Sequence, residues 1–124
     1  MTSAKNFTVL VVEDEWLLRE ESTGWFRDSG WTVLETALGA QALATLQNEK
    51  LIHLLYTDIT LADTIAGWDV AAAGLESHPD LAVIYASGGP DDQTRRRPES
   101  IFLPKPVSQQ DLMLACSRLL PVAR

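Results

Sequence analysis

The sequence predicts an α/β fold in which a parallel sheet carries helices on both of its faces. Short, nearly continuous apolar runs recur along the chain, and such runs are typical of strands that are covered on both faces. Stretches with helical periodicity separate these runs, which indicates parallel strands joined by crossover helices. The predicted strands are Phe7–Val12, Trp31–Thr36, Leu51–Thr57, Leu81–Ser87 and Ser100–Leu103.

Four segments are predicted to be amphipathic helices; the last three have apolar residues at the i, i+3, i+4 spacing, whereas in the first Glu21 and Ser22 interrupt the apolar face. They are Asp14–Ser29, Gly39–Glu49, Ala66–Glu76 and Ser108–Leu120. Gly30 is placed to end the first helix, and Ser108 with Asp111 approximates a capping box at the start of the last. The segment between the fourth and fifth strands contains two adjacent glycines and two prolines, so it has room for only a short helix of about two turns.

The size and composition of the chain fit one folded domain. A chain of 124 residues is close to the size of one domain and buries about two-thirds of its surface on folding. Cys116 is the only cysteine, so an internal disulfide is excluded and a reducing cytosol fits. The N-terminus does not resemble a secretion signal, and no apolar run is long enough to span a membrane. We therefore expect a cytoplasmic protein with one domain, 1–124, and a core from about 7 to 121.

The charge balance argues against two classes of partner. Ten basic residues against 17 acidic ones give a net charge of −7. Nucleic acids and anionic membranes both require a basic surface, so neither is expected as a direct partner. The basic run from Arg95 to Arg97 is interpreted as a solvated loop, with a docking role for an acidic partner left open.

Polar side chains cluster at the predicted carboxyl ends of the strands. In open α/β sheets this edge is where ligands bind. The residues are Glu13, Asp14 and Glu15 after the first strand, Asp58 after the third, Ser87 at the end of the fourth and Lys105 after the fifth. Each has an ordinary reading by itself: acids at the start of a helix, a capping acid, a turn serine and a surface lysine. Their coincidence at one edge favours a common site.

The chemistry of these side chains points to phosphoryl transfer. Glu13, Asp14 and Asp58 would crowd three negative charges, and a hard divalent ion such as Mg²⁺ relieves that repulsion. A carboxylate beside such an ion can attack a phosphoryl group and become an aspartyl phosphate. Lys105 would supply a second positive charge, and Ser87 a hydroxyl for the phosphoryl oxygens.

Taken together, the sequence resembles a response-regulator receiver domain of the CheY-like type. The matching pieces are Val9–Glu15, Thr57–Asp58, Gly67–Trp68, Ala86–Gly88 and Phe102–Pro106. The resemblance covers nearly the whole chain and points to bacterial stand-alone receivers. It implies a flavodoxin-like (βα)5 fold, with a five-stranded parallel sheet of order 2-1-3-4-5 and helices on both faces.

The resemblance also assigns a metal site. Glu13 and Asp14 correspond to the acidic pair that holds Mg²⁺ or Mn²⁺ in this family. Asp58 would be both a ligand and the phosphoacceptor, and the backbone carbonyl of Thr60 would be a further ligand.

Three more positions have implied roles. Lys105 corresponds to the lysine that contacts the phosphoryl group, and the bond from Lys105 to Pro106 is often cis in such domains. Ser87 corresponds to the switch hydroxyl, and Phe102 occupies the aromatic switch position.

The sequence departs from the family pattern in three places. Ala62 stands where many receivers have proline, so the stiffness of the loop near the metal would differ. Phe102 replaces tyrosine and cannot donate a hydroxyl hydrogen bond. The segment between Ser87 and Lys105 is short by about one helical turn, so the nearby partner-binding face should be remodelled.

The resemblance implies a two-component response regulator rather than an enzyme. A histidine kinase or a histidine phosphotransfer protein would phosphorylate Asp58, and a separate downstream protein would respond, because no output domain is expected after the last helix. A phosphate sink and a homodimer both stay open, as does a phosphorylation-independent adaptor.

Two enzyme-like alternatives fit less well. An aspartyl-phosphate phosphohydrolase commonly has a second acid where Thr60 stands. A flavin module needs a Ser/Thr/Gly-rich first loop, where this chain has acids.

Overall fold

A computed structural model describes residues 7–120, and this range contains five strands and four helices, with no helix between the last two strands. The strands are β1 (Thr8–Val12), β2 (Thr32–Thr36), β3 (Leu54–Asp58), β4 (Ala82–Ser87) and β5 (Ile101–Pro104). The helices are α1 (Trp16–Asp28), α2 (Gly39–Asn48), α3 (Gly67–Ser77) and α4 (Gln109–Leu119). All strand pairs are parallel and the order is β2-β1-β3-β4-β5, so the predicted fold class and strand order are confirmed.

Alternate residues of the strands build a separate core on each face of the sheet. Leu10 and Leu55 point toward α2 and α3, whereas Val9 and Leu54 point toward α1 and α4. All four are fully buried. Because the inner strands are covered on both faces, they read as continuous apolar runs rather than as an alternating pattern.

Two of the predicted helix ends are present. Gly30 follows α1 with a φ of 91°, a left-handed conformation that favours glycine. The Ser108 hydroxyl accepts a hydrogen bond from the Asp111 amide at 3.1 Å, so Ser108 caps α4 as predicted. The predicted third strand is shorter at its start, since Leu51 lies outside β3 with 62% of its surface exposed.

The segment between β4 and β5 differs from the expectation, because residues 88–100 form turns instead of a short helix. Pro90 and Pro98 lack the amide hydrogens that a helix needs. The side chain of Arg96 organises the segment instead. Its guanidinium group donates to both carboxylate oxygens of Asp91 (2.9 and 3.1 Å) and to the carbonyl of Ser100 (2.9 Å).

None of the helices in the described range is both long and apolar enough to cross a membrane.

Candidate functional site

Two buried carboxylates and one lysine meet at the carboxyl ends of the central strands. Glu13 follows β1, Asp58 ends β3 and Lys105 follows β5. The Lys105 Nζ atom lies 3.0 Å from Glu13 Oε1 and 2.5 Å from Asp58 Oδ1. The side chains of Glu13 and Asp58 are only 7% and 4% exposed. One ammonium group therefore forms ion pairs with two carboxylates that are largely shielded from solvent.

The crowding of charge shifts the titration of all three groups. Burial and the neighbouring Glu13 carboxyl raise the pKa of Asp58 to about 8, against the lowering effect of Lys105. Burial also acts to raise the pKa of Glu13, but the neighbouring Asp58 carboxyl, the hydrogen bond from the Glu15 amide and the ion pair with Lys105 outweigh it, so this pKa is lowered. Burial opposes the charge of Lys105, yet its two carboxylate partners raise its pKa. The site is thus short of positive charge.

The acidic cluster fits a hard divalent cation. Glu13, Asp14 and Asp58 each offer one oxygen within 4.8 Å of the other two. Apart from the ion pair with Lys105, neither carboxylate oxygen of Asp58 has a hydrogen-bond partner among the described residues, although both are buried. A buried charged oxygen without a partner is costly, and coordination would satisfy it. Oxygen ligands of this kind suit Mg²⁺ or Mn²⁺.

The loop after Asp58 is held close to the site by Gly67, the first residue of α3. The Gly67 amide donates to the carbonyl of Ile59 at 2.7 Å. A Cβ atom on Gly67 would lie 2.1 Å from the Asp58 carbonyl oxygen, so only glycine fits this position. Thr60, whose carbonyl is the predicted further ligand, lies in the exposed bend of this loop.

Asp63 tethers the same loop to α2, a role that the sequence analysis missed. Its two carboxylate oxygens accept hydrogen bonds from the amides of Gly39 (3.2 Å) and Ala40 (3.0 Å). These bonds, that of Ala40 first, lower the pKa of Asp63. The sequence offers only an indirect indication of this role. Leu38, which precedes α2, has no side-chain group that could cap the helix, so another residue has to accept hydrogen bonds from the first amides.

Arg19 is a second residue that the sequence analysis missed. Its guanidinium group donates to the carbonyl of Glu13 at 2.8 Å and lies 3.3 Å from the carboxylate of Glu35. The Glu13 side chain also accepts a hydrogen bond from the Glu15 amide at 3.1 Å. The backbone and side chain of Glu13 are therefore both held in place.

Ser87 and Phe102 have different relations to the site. Ser87 ends β4, its hydroxyl accepts a hydrogen bond from the Gly89 amide (3.0 Å), and its carbonyl accepts one from the Lys105 amide (2.9 Å). Phe102 pairs with Tyr85 across β4 and β5 and packs against the α2–α3 core, on the strand rather than among the carboxylates. The bond from Lys105 to Pro106 is cis, as the resemblance implied.

The fold and the site at the strand ends are those of a receiver domain, and comparison with known proteins confirms this class. The profile of the response regulator receiver domain family matches residues 9–117. The chain belongs to this family, as its motifs predicted.

Relatives in sequence and in structure agree with this assignment. The chain is 31% identical over 120 residues, 91% of its length, to the sensor kinase CckA of Brucella abortus (strain 2308). It is 32% identical over 108 residues, 84% of its length, to the sensor protein TorS of Escherichia coli (strain K12). The matched region is 12% of each of those proteins, so the chain spans only a small part of their length.

Solved receiver structures superpose closely. A response regulator receiver protein from Sinorhizobium medicae WSM419 has a TM-score of 0.87 at 31% identity, covering 92% of this chain and 94% of the other. The receiver domain of the hybrid histidine kinase CckA has a TM-score of 0.79 at 28% identity, covering 91% and 98%.

Proposed function

We propose that this chain accepts a phosphoryl group on Asp58 in two-component signalling and changes its partner-binding surface in response. The observation that carries the proposal is the state of the Asp58 carboxylate. It is buried at the end of a central strand, its oxygens lack hydrogen-bond partners among the described residues, and an ammonium group lies against one of them. A structural aspartate in such a place would be expected to be satisfied by hydrogen bonds.

The proposed reaction is an in-line transfer from a phosphohistidine. One carboxylate oxygen of Asp58 attacks phosphorus, the P–N bond to the imidazole breaks, and an acyl phosphate remains on Asp58. The ammonium group of Lys105 lies against Asp58 Oδ1 and would attract the negative charge that the phosphoryl group brings. Glu13, Asp14, Asp58 and the Thr60 carbonyl would hold Mg²⁺ or Mn²⁺, which would neutralise charge on the phosphoryl oxygens.

Ser87 is proposed to pass the signal on. Its hydroxyl oxygen accepts a hydrogen bond from the Gly89 amide, so the hydroxyl hydrogen of Ser87 is free to donate to a phosphoryl oxygen. Turning toward Asp58 would break the contact with Gly89 and disturb the turns that follow. Phe102 would follow by changing its rotamer against the core, without a hydroxyl group to hold it in either position.

The proposed partners follow from the relatives. Both curated relatives are sensor proteins, which supports a histidine kinase or a histidine phosphotransfer protein as the phosphodonor. A downstream protein would read the changed surface, in the cytoplasm, and the chain would catalyse only its own phosphorylation and dephosphorylation. A single receiver domain over 1–124 with a core from about 7 to 121 stays a prediction, and residue 121 lies outside the described range.

Intact mass spectrometry tests the proposal directly. The protein is incubated with Mg²⁺ and acetyl phosphate, beside Asp58→Asn and beside Asp28→Asn, an exposed acid at the end of α1 that serves as a control. We expect one added phosphoryl group in the parent and in the control, and none in Asp58→Asn. If neither acetyl phosphate nor a phosphorylated histidine kinase modifies the parent, the phosphorylation-independent adaptor would be the better description.

A further inference from the structure

One face of the sheet lacks a helix beside α3. On this face α2 packs on β1 and β2, and α3 packs on β3, while α1 and α4 lie on the opposite face. Within residues 7–120, the connection from β4 to β5 consists of turns, so no helix lies beyond α3 on the β5 side of this face. The result is a groove that runs along α3.

The floor of this α3 groove is apolar. It is formed by Trp68, Ala71, Ala72 and Leu75 of α3 together with Tyr85 of β4, around a cavity of about 310 Å³. The rings of Trp68 and Tyr85 pack with their centroids 4.7 Å apart. A second cavity of about 480 Å³ shares Leu75 and continues the groove toward the end of α4.

The rim of the groove carries two arginines. Arg95 and Arg97 both line the first cavity, where Glu76 is the single acidic residue. The guanidinium group of Arg95 lies 5.8 Å from the centre of the Trp68 ring, as a cation over an aromatic face. Arg97 has only a weak surface ion pair with Glu99 at 3.5 Å.

The three consecutive arginines therefore have separate roles. Arg96 is turned inward, with 16% of its side chain exposed, and holds the segment through Asp91 and Ser100. Its neighbours stand on either side of it in sequence and both reach the groove. The prediction of a solvated basic loop therefore fits Arg95 and Arg97, which are exposed, but not Arg96.

We propose that the α3 groove binds an acidic amphipathic helix of a partner protein, in the place where this fold lacks a helix of its own. From Trp68 to Leu75 the floor spans about two helical turns, which suits apolar anchors at i, i+3 or i+4, and i+7. Carboxylates of the partner helix would face Arg95 and Arg97.

The distribution of charge favours an acidic helix in the groove, with its carboxylates toward the arginine rim. The chain has a net charge of −7, so most of its surface repels an acidic helix, while the arginine rim attracts it. The inference deepens the proposed function by naming the chemistry of the output partner. The segment that carries both arginines begins directly after Ser87, so phosphorylation of Asp58 would control binding in the groove through Ser87. Only this control rests on the proposed function.

Two synthetic helical peptides of about 16 residues serve as probes. Both have leucine at i, i+3, i+4 and i+7 and alanine elsewhere on that face, and one has glutamate where the other has lysine. Calorimetry measures the affinity of each for the unphosphorylated protein, and amide chemical shifts locate the bound peptide. We expect the glutamate peptide to bind at least about tenfold more tightly and to shift the amides of α3 and residues 88–100.

Two pairs of variants separate groove binding from simple charge attraction. Ala72→Arg fills the exposed floor of the groove but adds a positive charge, and Ala44→Arg on the exposed surface of α2 is its control. If the peptide lies in the groove, Ala72→Arg weakens it about tenfold, whereas simple charge attraction would strengthen it. The double variant Arg95→Gln with Arg97→Gln should also weaken binding about tenfold, whereas Arg27→Gln with Lys50→Gln should change it less than about twofold.

Equal affinity for both peptides, or tighter binding to Ala72→Arg, would overturn the proposal, as would shifts confined to another surface. Phosphorylation of the same variants is scored separately by mass spectrometry. If the parent protein is phosphorylated but does not bind the glutamate peptide, only the groove is refuted; if the parent binds the peptide normally but is not phosphorylated, only the proposed function is refuted.

Discussion

The loop after Asp58 and the segment between β4 and β5 both begin at the same edge of the sheet but are held in different ways. Gly67 and Asp63 attach the loop after Asp58 to α3 and α2, which are parts of the main core. Residues 88–100 are organised mostly by Arg96, within the segment itself. The comparison teaches that the loop beside the reactive groups is tied to two helices of the fold, whereas the neighbouring segment depends mainly on one of its own side chains.

Replacing Gly67 with alanine should have the largest effect on the rigid side of this comparison. The new Cβ would meet the carbonyl oxygen of Asp58 at 2.1 Å, so the loop or the end of β3 must move. We expect a loss of about 3 kcal/mol in the free energy of unfolding, measured by urea denaturation, together with loss of phosphorylation. Gly24→Ala is the control, because Gly24 lies inside α1 with open space around its Cβ position. That change should stabilise the protein by about 0.5–1 kcal/mol.

Replacing Asp58 with asparagine should stabilise the protein in metal-free buffer at high pH. The pKa of Asp58 is raised from 3.8 to about 8, so the folded state prefers the protonated form. Stability from this group is therefore complete below about pH 4 and is lost as the pH rises through about 8. At pH 9 with a chelator, Asp58→Asn should be more stable than the parent by roughly 1–2 kcal/mol. Mg²⁺ should stabilise the parent more than the variant, and a parent whose stability does not fall over this pH range would contradict the argument.

Replacing Arg96 with alanine tests the adjustable side of the comparison. The variant loses charge-assisted hydrogen bonds to Asp91 and Ser100, so residues 88–100 should exchange their amide hydrogens faster. The free energy of unfolding should fall by about 1 kcal/mol while Asp58 is still phosphorylated. Arg97→Ala, which removes only a surface ion pair, should change stability by less than about 0.5 kcal/mol. If Arg96→Ala abolished phosphorylation without unfolding the protein, the two regions would not be separate.

Replacing Asp63 with alanine should have the smallest effect on global stability, because this residue lies at the surface. The amides of Gly39 and Ala40 lose their acceptors and should exchange faster, whereas those of the β4–β5 segment should not change. Mg²⁺ affinity, followed by tryptophan fluorescence, should weaken because the loop carrying Thr60 loses its tether to α2. Asp63→Asn keeps one acceptor oxygen and should restore part of both properties. Unchanged exchange at Gly39 and Ala40 would show that the tether does not form in solution.

The local pattern was sufficient for most of the fold. The apolar runs and the helical periodicity predicted all five strands, the four helices and, through the resemblance, the strand order. The pattern was less informative between Ser87 and Ile101, where chain length suggested a short helix. Proline and the side chain of Arg96 favour turns there, and a pairing between a side chain and distant backbone groups leaves no periodic signal.

The residues of the candidate site also fall into those that the sequence predicted and those that it did not. The residue types and their positions at the strand ends predicted that Glu13, Asp58 and Lys105 would meet, because parallel strands bring their carboxyl ends to one edge. Asp63 was missed because it accepts hydrogen bonds from amides about 24 residues away, and Arg19 because its contacts with the Glu13 carbonyl and the Glu35 carboxylate leave no motif in the sequence.

The sequence by itself therefore determined the order of the elements, the family and the set of residues at the reactive edge, since these follow from local periodicity and from short motifs. Only the tertiary structure decided how those residues are held, which arginine of the run from Arg95 to Arg97 turns inward, and that a groove opens beside α3. The physical reason is that hydrogen bonds between distant segments and the burial of single side chains depend on three-dimensional packing, which no spacing along the chain records.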